Sequence, residues 1–176
     1  MDKGLIQVYT GDGKGKTTAA LGLGLRAVGY GYKVKMVQFL KGRDSGELFS
    51  TKKFNGNFEI YRFDKSKKFF WNMNEIEKEE LKKKISYAFD FIEETIKKND
   101  CDILILDEVM GVISNKLVSI DRVLHILDMK PENMEIILTG RNVPEAILDR
   151  ADLVSEMKMI KHPFEKGIPA RKGIEY

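Results

Sequence analysis

The sequence predicts an α/β domain, a mainly parallel β-sheet with helices on both of its faces. Three observations lead there. Short apolar segments, β-branched in part, alternate along the chain with longer segments of helical periodicity. A glycine-rich turn joins the first of these strand segments to the first helical one. One later segment, Ile103-Leu104-Ile105-Leu106, is apolar throughout, which is how a strand buried on both sides reads.

Each element follows in order. Residues 4–9 (GLIQVY) form the first strand segment, and a glycine cluster ends it. Residues 17–28, rich in Ala and Leu, predict a helix packed on that strand. Gly22 and Gly24 each weaken this helix by roughly 1 kcal/mol relative to Ala, so close packing is expected to compensate. Gly29-Tyr30-Gly31 ends it, and residues 33–39 (KVKMVQF) predict the second strand. Residues 40–74 are less regular, with a strand segment at 58–63 and the adjacent aromatics Phe69, Phe70 and Trp71. A long amphipathic helix follows, carrying Leu81, Ile85, Ala88, Phe89, Ile92 and Ile96 on one face. Asn74 with Glu77 three residues later predicts a capping box at its start, and its charged face reads as solvated surface. After the strand at 103–106, Ser119 caps a helix carrying Ile120, Val123, Leu124 and Leu127. Residues 135–139 (EIILT) are the next strand, Pro144 suits a first helical turn, and residues 154–159 alternate into a last strand.

Composition narrows the class. The 176 residues are 43% hydrophobic and 32% charged, a globular balance that predicts one domain over residues 1–176, without repeat or linker. No apolar stretch approaches a membrane span and no signal peptide precedes the first strand, so a cytoplasmic protein with no membrane partner is expected. The single Cys101 cannot form an internal disulfide. A net charge of +3 is too small to imply nucleic acid, although Lys is dense near residues 65–68 and 82–84.

The strongest motif is TGDGKGKTT, residues 10–18, lying between a predicted strand and a predicted helix as a P-loop does. Gly11, Gly13 and Gly15 permit unusual dihedrals and close approach, so consecutive backbone N–H groups can converge on an anion. The helix N-terminus adds roughly half a positive charge and Lys16 a full one, while the Thr17 hydroxyl can ligate Mg²⁺. Asp12, Lys14 and Thr18 complete the candidate phosphate cradle. Thr10 stands where the general motif has glycine.

Asp107 and Glu108, at the end of the buried segment, can hold a metal directly or through water. The pair also suits positioning a water for hydrolysis, so the cradle alone fits a RecA-like ATPase or a nucleoside kinase as well. Arg26, on a small and apolar helix, either reaches the nucleotide or snorkels to solvent. Arg141 lies at the carboxyl end of a strand, where open α/β sheets bind ligands. Phe69, Phe70 and Trp71 cannot all enter one core: they form either a lid over the sheet edge or a surface for a flat, apolar ligand. His162 has no partner at zinc-ligand spacing, and Cys101 has no second thiol.

These residues together resemble the P-loop ATP:corrinoid adenosyltransferases. The resemblance spans essentially the whole chain. It is most specific in TGDGKGKTTAA (10–20), Arg26-Ala27-Val28-Gly29, VQFLKG (37–42), Leu106-Asp107-Glu108, LTGR (138–141), Ile147-Leu148-Asp149 and the tail from Lys161-His162-Pro163-Phe164 to KGIEY (172–176). Thr10 agrees with this family's own cradle. The resemblance implies a RecA-like sheet, ATP with Mg²⁺ or Mn²⁺, a corrinoid substrate, a homodimer and a flavodoxin-type electron donor. The family transfers the 5′-deoxyadenosyl group of ATP to reduced corrinoid cobalt and releases tripolyphosphate. It implies Lys16 and Glu108 as catalytic residues; residues 11–18 with Arg26 and Arg141 as ATP contacts; and Thr17, Asp107 and Glu108 as metal ligands. Phe69 and Trp71 match the family's Phe-x-Trp pair, which displaces the lower axial ligand to give four-coordinate Co(II). The longer N-terminal segment that some members place over the active site has no counterpart before residue 4, which leaves open how the site is closed.

Overall fold

Six short segments pair side by side in the computed structural model, which describes residues 2–66 and 68–176. They are β1 (Ile6–Thr10), β2 (Val34–Gln38), β3 (Phe58–Tyr61), β4 (Ile103–Asp107), β5 (Glu135–Thr139) and β6 (Leu153–Glu156). They form one sheet in the order β3-β2-β4-β5-β1-β6, and every neighbouring pair is parallel. A parallel pair needs a crossover between its strands, so helices must pass over the faces of the sheet. Those helices are α1 (Lys16–Gly29), α2 (Glu47–Ser50), α3 (Glu75–Lys98), α4 (Val109–Ser114), α5 (Ile120–Asp128) and α6 (Glu145–Leu148).

Side-chain alternation divides the core in two. Tyr9, Met36, Ile105 and Ile137 face α1, where Ala20 and Ala27 let helix and sheet approach closely. Val8, Val37, Leu104, Leu106 and Leu138 face the other way, onto Leu81, Ile85, Phe89 and Ile92 of α3 and onto α4, α5 and Ile147 of α6. Helix α3 begins as expected. The Glu77 amide donates to Asn74 Oδ1 and the Asn74 amide donates to Glu77 Oε2, both at 2.9 Å. It ends at Asn99, whose φ of 49° is left-handed.

The differences from expectation have physical causes. The last strand pairs only over Leu153–Glu156, short of residue 159. Beyond it the Met157 amide donates to Thr10 O at 2.8 Å, and Met157 O accepts from the Gly13 amide at 2.7 Å. The extended chain therefore continues, but against a loop rather than a strand. Strand β3 stops at Tyr61 instead of Phe63. Pro144 precedes the first turn of α6 as its N-cap instead of lying within it. The short helices α2 and α4 have no expected counterpart in the sequence reading.

The two glycines inside α1 also behave differently from each other. A Cβ on Gly24 would lie 2.6 Å from the buried Phe58 ring, so close packing does occupy that position. A Cβ on Gly22 would meet nothing within 4 Å, so the expected compensation is missing there. Substituting Ala should consequently have opposite effects. Gly24→Ala is expected to destabilise by about 1–3 kcal/mol through overpacking. Gly22→Ala should stabilise by up to about 1 kcal/mol through helix propensity. Paired thermal or urea unfolding measures both.

Candidate functional site

Strand β1 delivers the chain to the carboxyl edge of the sheet, and α1 carries it away, so residues 11–15 must reverse direction within five residues. Gly11 (φ 98°) and Gly15 (φ 124°) take the left-handed backbone that this turn requires. At Gly11 and Gly13 a Cβ would also lie within 2.7 Å of the passing backbone around Met157. One loop amide, that of Gly13, is thus engaged by Met157 and does not face a ligand. The first turn of α1 has Gly15 as N-cap and no side-chain cap, which leaves its amides and the helix dipole to an incoming anion.

Residues 12–18, Glu108 and Arg141 line a hollow of about 780 Å³. Gly11 lies just behind, its carbonyl accepting from Lys16 Nζ at 2.6 Å; the Gly13 carbonyl accepts from the same ammonium at 2.9 Å. Burial, and then the positive Arg141, lower the Lys16 pKa below its usual value, while Glu108, Asp12 and Asp107 oppose that shift. The Arg141 guanidinium donates to Asp12 O at 3.2 Å. Lys14 pairs with Glu175 at 2.8 Å, which draws the C-terminal tail across the cradle so that residues 173–176 form one wall.

Asp107 lies under the hollow with no exposed side-chain surface. Its Oδ1 accepts from the hydroxyls of Thr17 (2.8 Å) and Thr139 (2.7 Å). Its Oδ2 accepts from Lys41 Nζ (2.5 Å) and the Gln38 amide (3.2 Å). Glu108, the next residue, has a left-handed φ of 62° and lines the hollow. Burial first, then the Asp107 charge, raise its pKa; Lys41, Lys16 and Arg141 pull the other way. The structure thereby brings Thr17, Asp107 and Glu108 together as an oxygen-rich corner.

Arg26 is not brought to this place. It is exposed in the last turn of α1, ten residues beyond Lys16 and so roughly 15 Å along the helix axis. Its charge is felt by Tyr9 instead. Phe69 and Trp71 stand outside the hollow, stacked at 4.8 Å with rings 4° from parallel, and 55% and 74% exposed. Phe70 turns inward and packs against the core, which explains how three consecutive aromatics are accommodated. The Arg43 guanidinium lies 6.0 Å from the Phe69 ring. The segment is held beside the end of β2 because Gly42 packs directly on the Ser66 backbone, leaving no room for a Cβ. His162 lines the hollow, and its Nδ1 accepts from the Phe164 amide. Cys101 is buried, which pushes its thiol up to about 12.

Lys41, Gln38 and Thr139 are the residues that sequence reasoning passed over. All three lie in segments already noted, VQFLKG and LTGR, but their role depends on strand order. Gln38 is in register with Asp107 across β2 and β4, and β5 flanks β4 on the other side.

Comparison with known proteins gives the family and the fold. A family model described as ATP:corrinoid adenosyltransferase BtuR/CobO/CobP matches residues 2–176. The corrinoid adenosyltransferase of Escherichia coli K12 is 33% identical over 176 residues, covering 99% of this chain and 87% of that protein. The Pseudomonas aeruginosa corrinoid adenosyltransferase is 31% identical, with 99% and 85% covered. Among solved structures, a KaiC-like protein from Pyrococcus horikoshii superposes with a TM-score of 0.59 at 15% identity, over 89% of this chain and 72% of that one. The flagellar accessory protein FlaH from Methanocaldococcus jannaschii gives 0.58 at 16%, with the same coverage. These two establish the fold as α/β of the KaiC and RecA-like P-loop type.

The raised Glu108 pKa predicts a pH-dependent stability. A carboxyl group whose pKa is higher folded than unfolded favours folding below its ordinary value of 4.5 and loses that contribution as pH rises through the folded value. Glu108→Gln should therefore melt at a higher temperature than the wild type at neutral pH. The difference should close below pH 4.5. Melting temperatures measured across that range check the sign.

Proposed function

Because the chain belongs to the ATP:corrinoid adenosyltransferase family, we propose that its hollow grips the triphosphate of ATP with residues 11–18 and presents the ribose 5′ carbon to a corrinoid at Phe69 and Trp71. The activity itself is that of the family: transfer of the adenosyl group from ATP to a corrinoid, in cobalamin biosynthesis. The observation that carries the site assignment is the alignment of Lys16 and Thr17 at the helix start with the buried Asp107. An uncapped helix N-terminus, an ammonium group and a carboxylate-bound hydroxyl converge there on one side of one cavity.

In this reading the cobalt(I) electron pair forms the Co–C5′ bond as the C5′–O bond breaks, and the bonding electrons leave with tripolyphosphate. Carbon is the electrophile, so no base is needed to activate the nucleophile. The chain's task is to orient the two reactants and to stabilise negative charge on the departing oxygens. The free amides of the cradle, Lys16 and Arg141 meet that charge from three directions. Glu108 lines the same hollow, where a carboxylate beside departing oxygens is useful only with a cation. Thr17, Asp107 and Glu108 supply the hard oxygen donors that Mg²⁺ or Mn²⁺ prefers, and an ammonium group, that of Lys41, rests on two of them. These residues fit the ion, which when bound would add positive charge beside the leaving group. The outward stack of Phe69 and Trp71 is suited to a flat macrocycle.

The proposal extends to the setting. A single domain over residues 1–176 is supported by the one continuous sheet. A homodimer and a flavodoxin-type electron donor are supported by the family resemblance, since the cobalt must reach Co(I) before it can attack. A cytoplasmic location accords with that partner, and no described helix is long and apolar enough to cross a membrane.

Lys16→Ala should lower turnover by about a hundredfold or more, given the usual loss on removing one charge-directed donor. Phosphorus NMR of the wild-type reaction should show tripolyphosphate; orthophosphate or ADP as the product would refute the adenosyl-transfer chemistry at this site. Trp71→Ala should slow adenosylation of complete cobalamin more than that of a corrinoid lacking the lower base. An equal loss on both substrates would reduce Trp71 to a packing role.

A further inference from the structure

The ammonium of Lys41 touches both groups that the metal reading requires, at 3.2 Å from the Thr17 hydroxyl oxygen and 2.5 Å from Asp107 Oδ2. It is the one cation among the described residues that contacts Asp107; the other three partners are the neutral Thr17, Thr139 and Gln38. A divalent ion liganded by Thr17 and Asp107 would share the Thr17 hydroxyl oxygen and the Asp107 carboxylate with Lys41, and two cations at such range repel strongly in a partly buried site. Lys41 also lines the hollow, and its side chain is 28% exposed on a flexible four-carbon arm. It therefore has somewhere to go.

We propose that Lys41 is a displaceable counter-ion: it neutralises Asp107 until a divalent cation arrives, then turns its ammonium into the hollow to meet the triphosphate. The inference rests on the metal reading given above and adds a positioning role for a residue outside the cradle. Its consequence is coupling. Divalent ion alone binds weakly because it must expel Lys41 into a cavity whose carboxylates are either claimed by the metal (Glu108) or already paired (Glu47 with Arg62, Glu175 with Lys14, Asp12 with Arg141). Metal and nucleotide together bind well because the phosphate oxygens accept the expelled charge. Lys41 thereby favours arrival of the metal as its nucleotide complex over arrival of the bare ion.

The test is calorimetric titration of Mn²⁺ alone into the full-length protein, and of ATP in the presence of Mn²⁺. Lys41→Met and Lys41→Gln, the latter keeping a hydrogen-bond donor for Asp107, should bind Mn²⁺ alone at least about tenfold more tightly than the wild type. Lys41→Arg, which keeps the charge, should resemble the wild type. Both neutral variants should lose affinity for ATP in the presence of Mn²⁺. Added Mn²⁺ should also raise their melting temperatures by more than it raises that of the wild type. Unchanged or weaker Mn²⁺ binding in the neutral variants would overturn the proposal, provided that wild-type protein with ATP takes up Mn²⁺ and Thr17→Ala does not. If wild-type protein with ATP takes up no Mn²⁺ at all, the metal reading fails, and the role of Lys41 falls with it.

Discussion

The buried carboxylate of Asp107 is the constraint around which this protein is arranged. A charge without exposed surface costs several kcal/mol unless it is paired and hydrogen-bonded, and Asp107 is answered by four donors from four different parts of the chain. Gln38 comes from β2, Lys41 from the loop after it, Thr139 from β5 and Thr17 from the first turn of α1. Satisfying one group thus requires β2 and β5 to flank β4, and it sets the start of α1 directly above the sheet's edge. The position of the phosphate cradle follows from that geometry, since the cradle is the only covalent link between β1 and α1.

Two kinds of cause meet at this edge. Apolar alternation on the strands positions the sheet between its two layers of helix, without regard to chemistry. Polar convergence on Asp107 then selects which ends of which strands become a site. Glu108 shows the separation sharply. The same burial that secures its neighbour raises its own pKa, because it lines the cavity with opposite charges near but, among the described residues, no direct partner to hold it ionised.

Much of this was legible in the residues. The apolar run at 103–106, the stripe on α3 with its Asn74–Glu77 box, and the strand–glycine–helix junction each reflect local rules, and local rules survive folding intact. Thr17, Asp107 and Glu108 were expected as a group because the cradle and the acidic end of a second buried strand belong to one edge of such a sheet. Lys41, Gln38 and Thr139 were not, since their function arises from the lateral order of strands, which no local pattern encodes. Arg26 illustrates the reverse failure. A lone charge on an apolar helix invites a functional reading, yet three turns of helix carry it away from the cradle. The last strand was over-extended for a related reason: its alternation continues, but its partner there is the backbone of a glycine turn.

The sheet order has a further implication for how the chain is made. Strand β1 is synthesised first, but both of its neighbours, β5 and β6, come from the last quarter of the chain. The opening strand emerges from the ribosome with two unpaired edges and must wait through more than a hundred residues of translation for either partner. Such long-range parallel pairing closes slowly and leaves apolar edges open to misassociation in the meantime. The nascent cradle is accordingly among the last parts of this sheet to be completed, although it is translated before the other five strands.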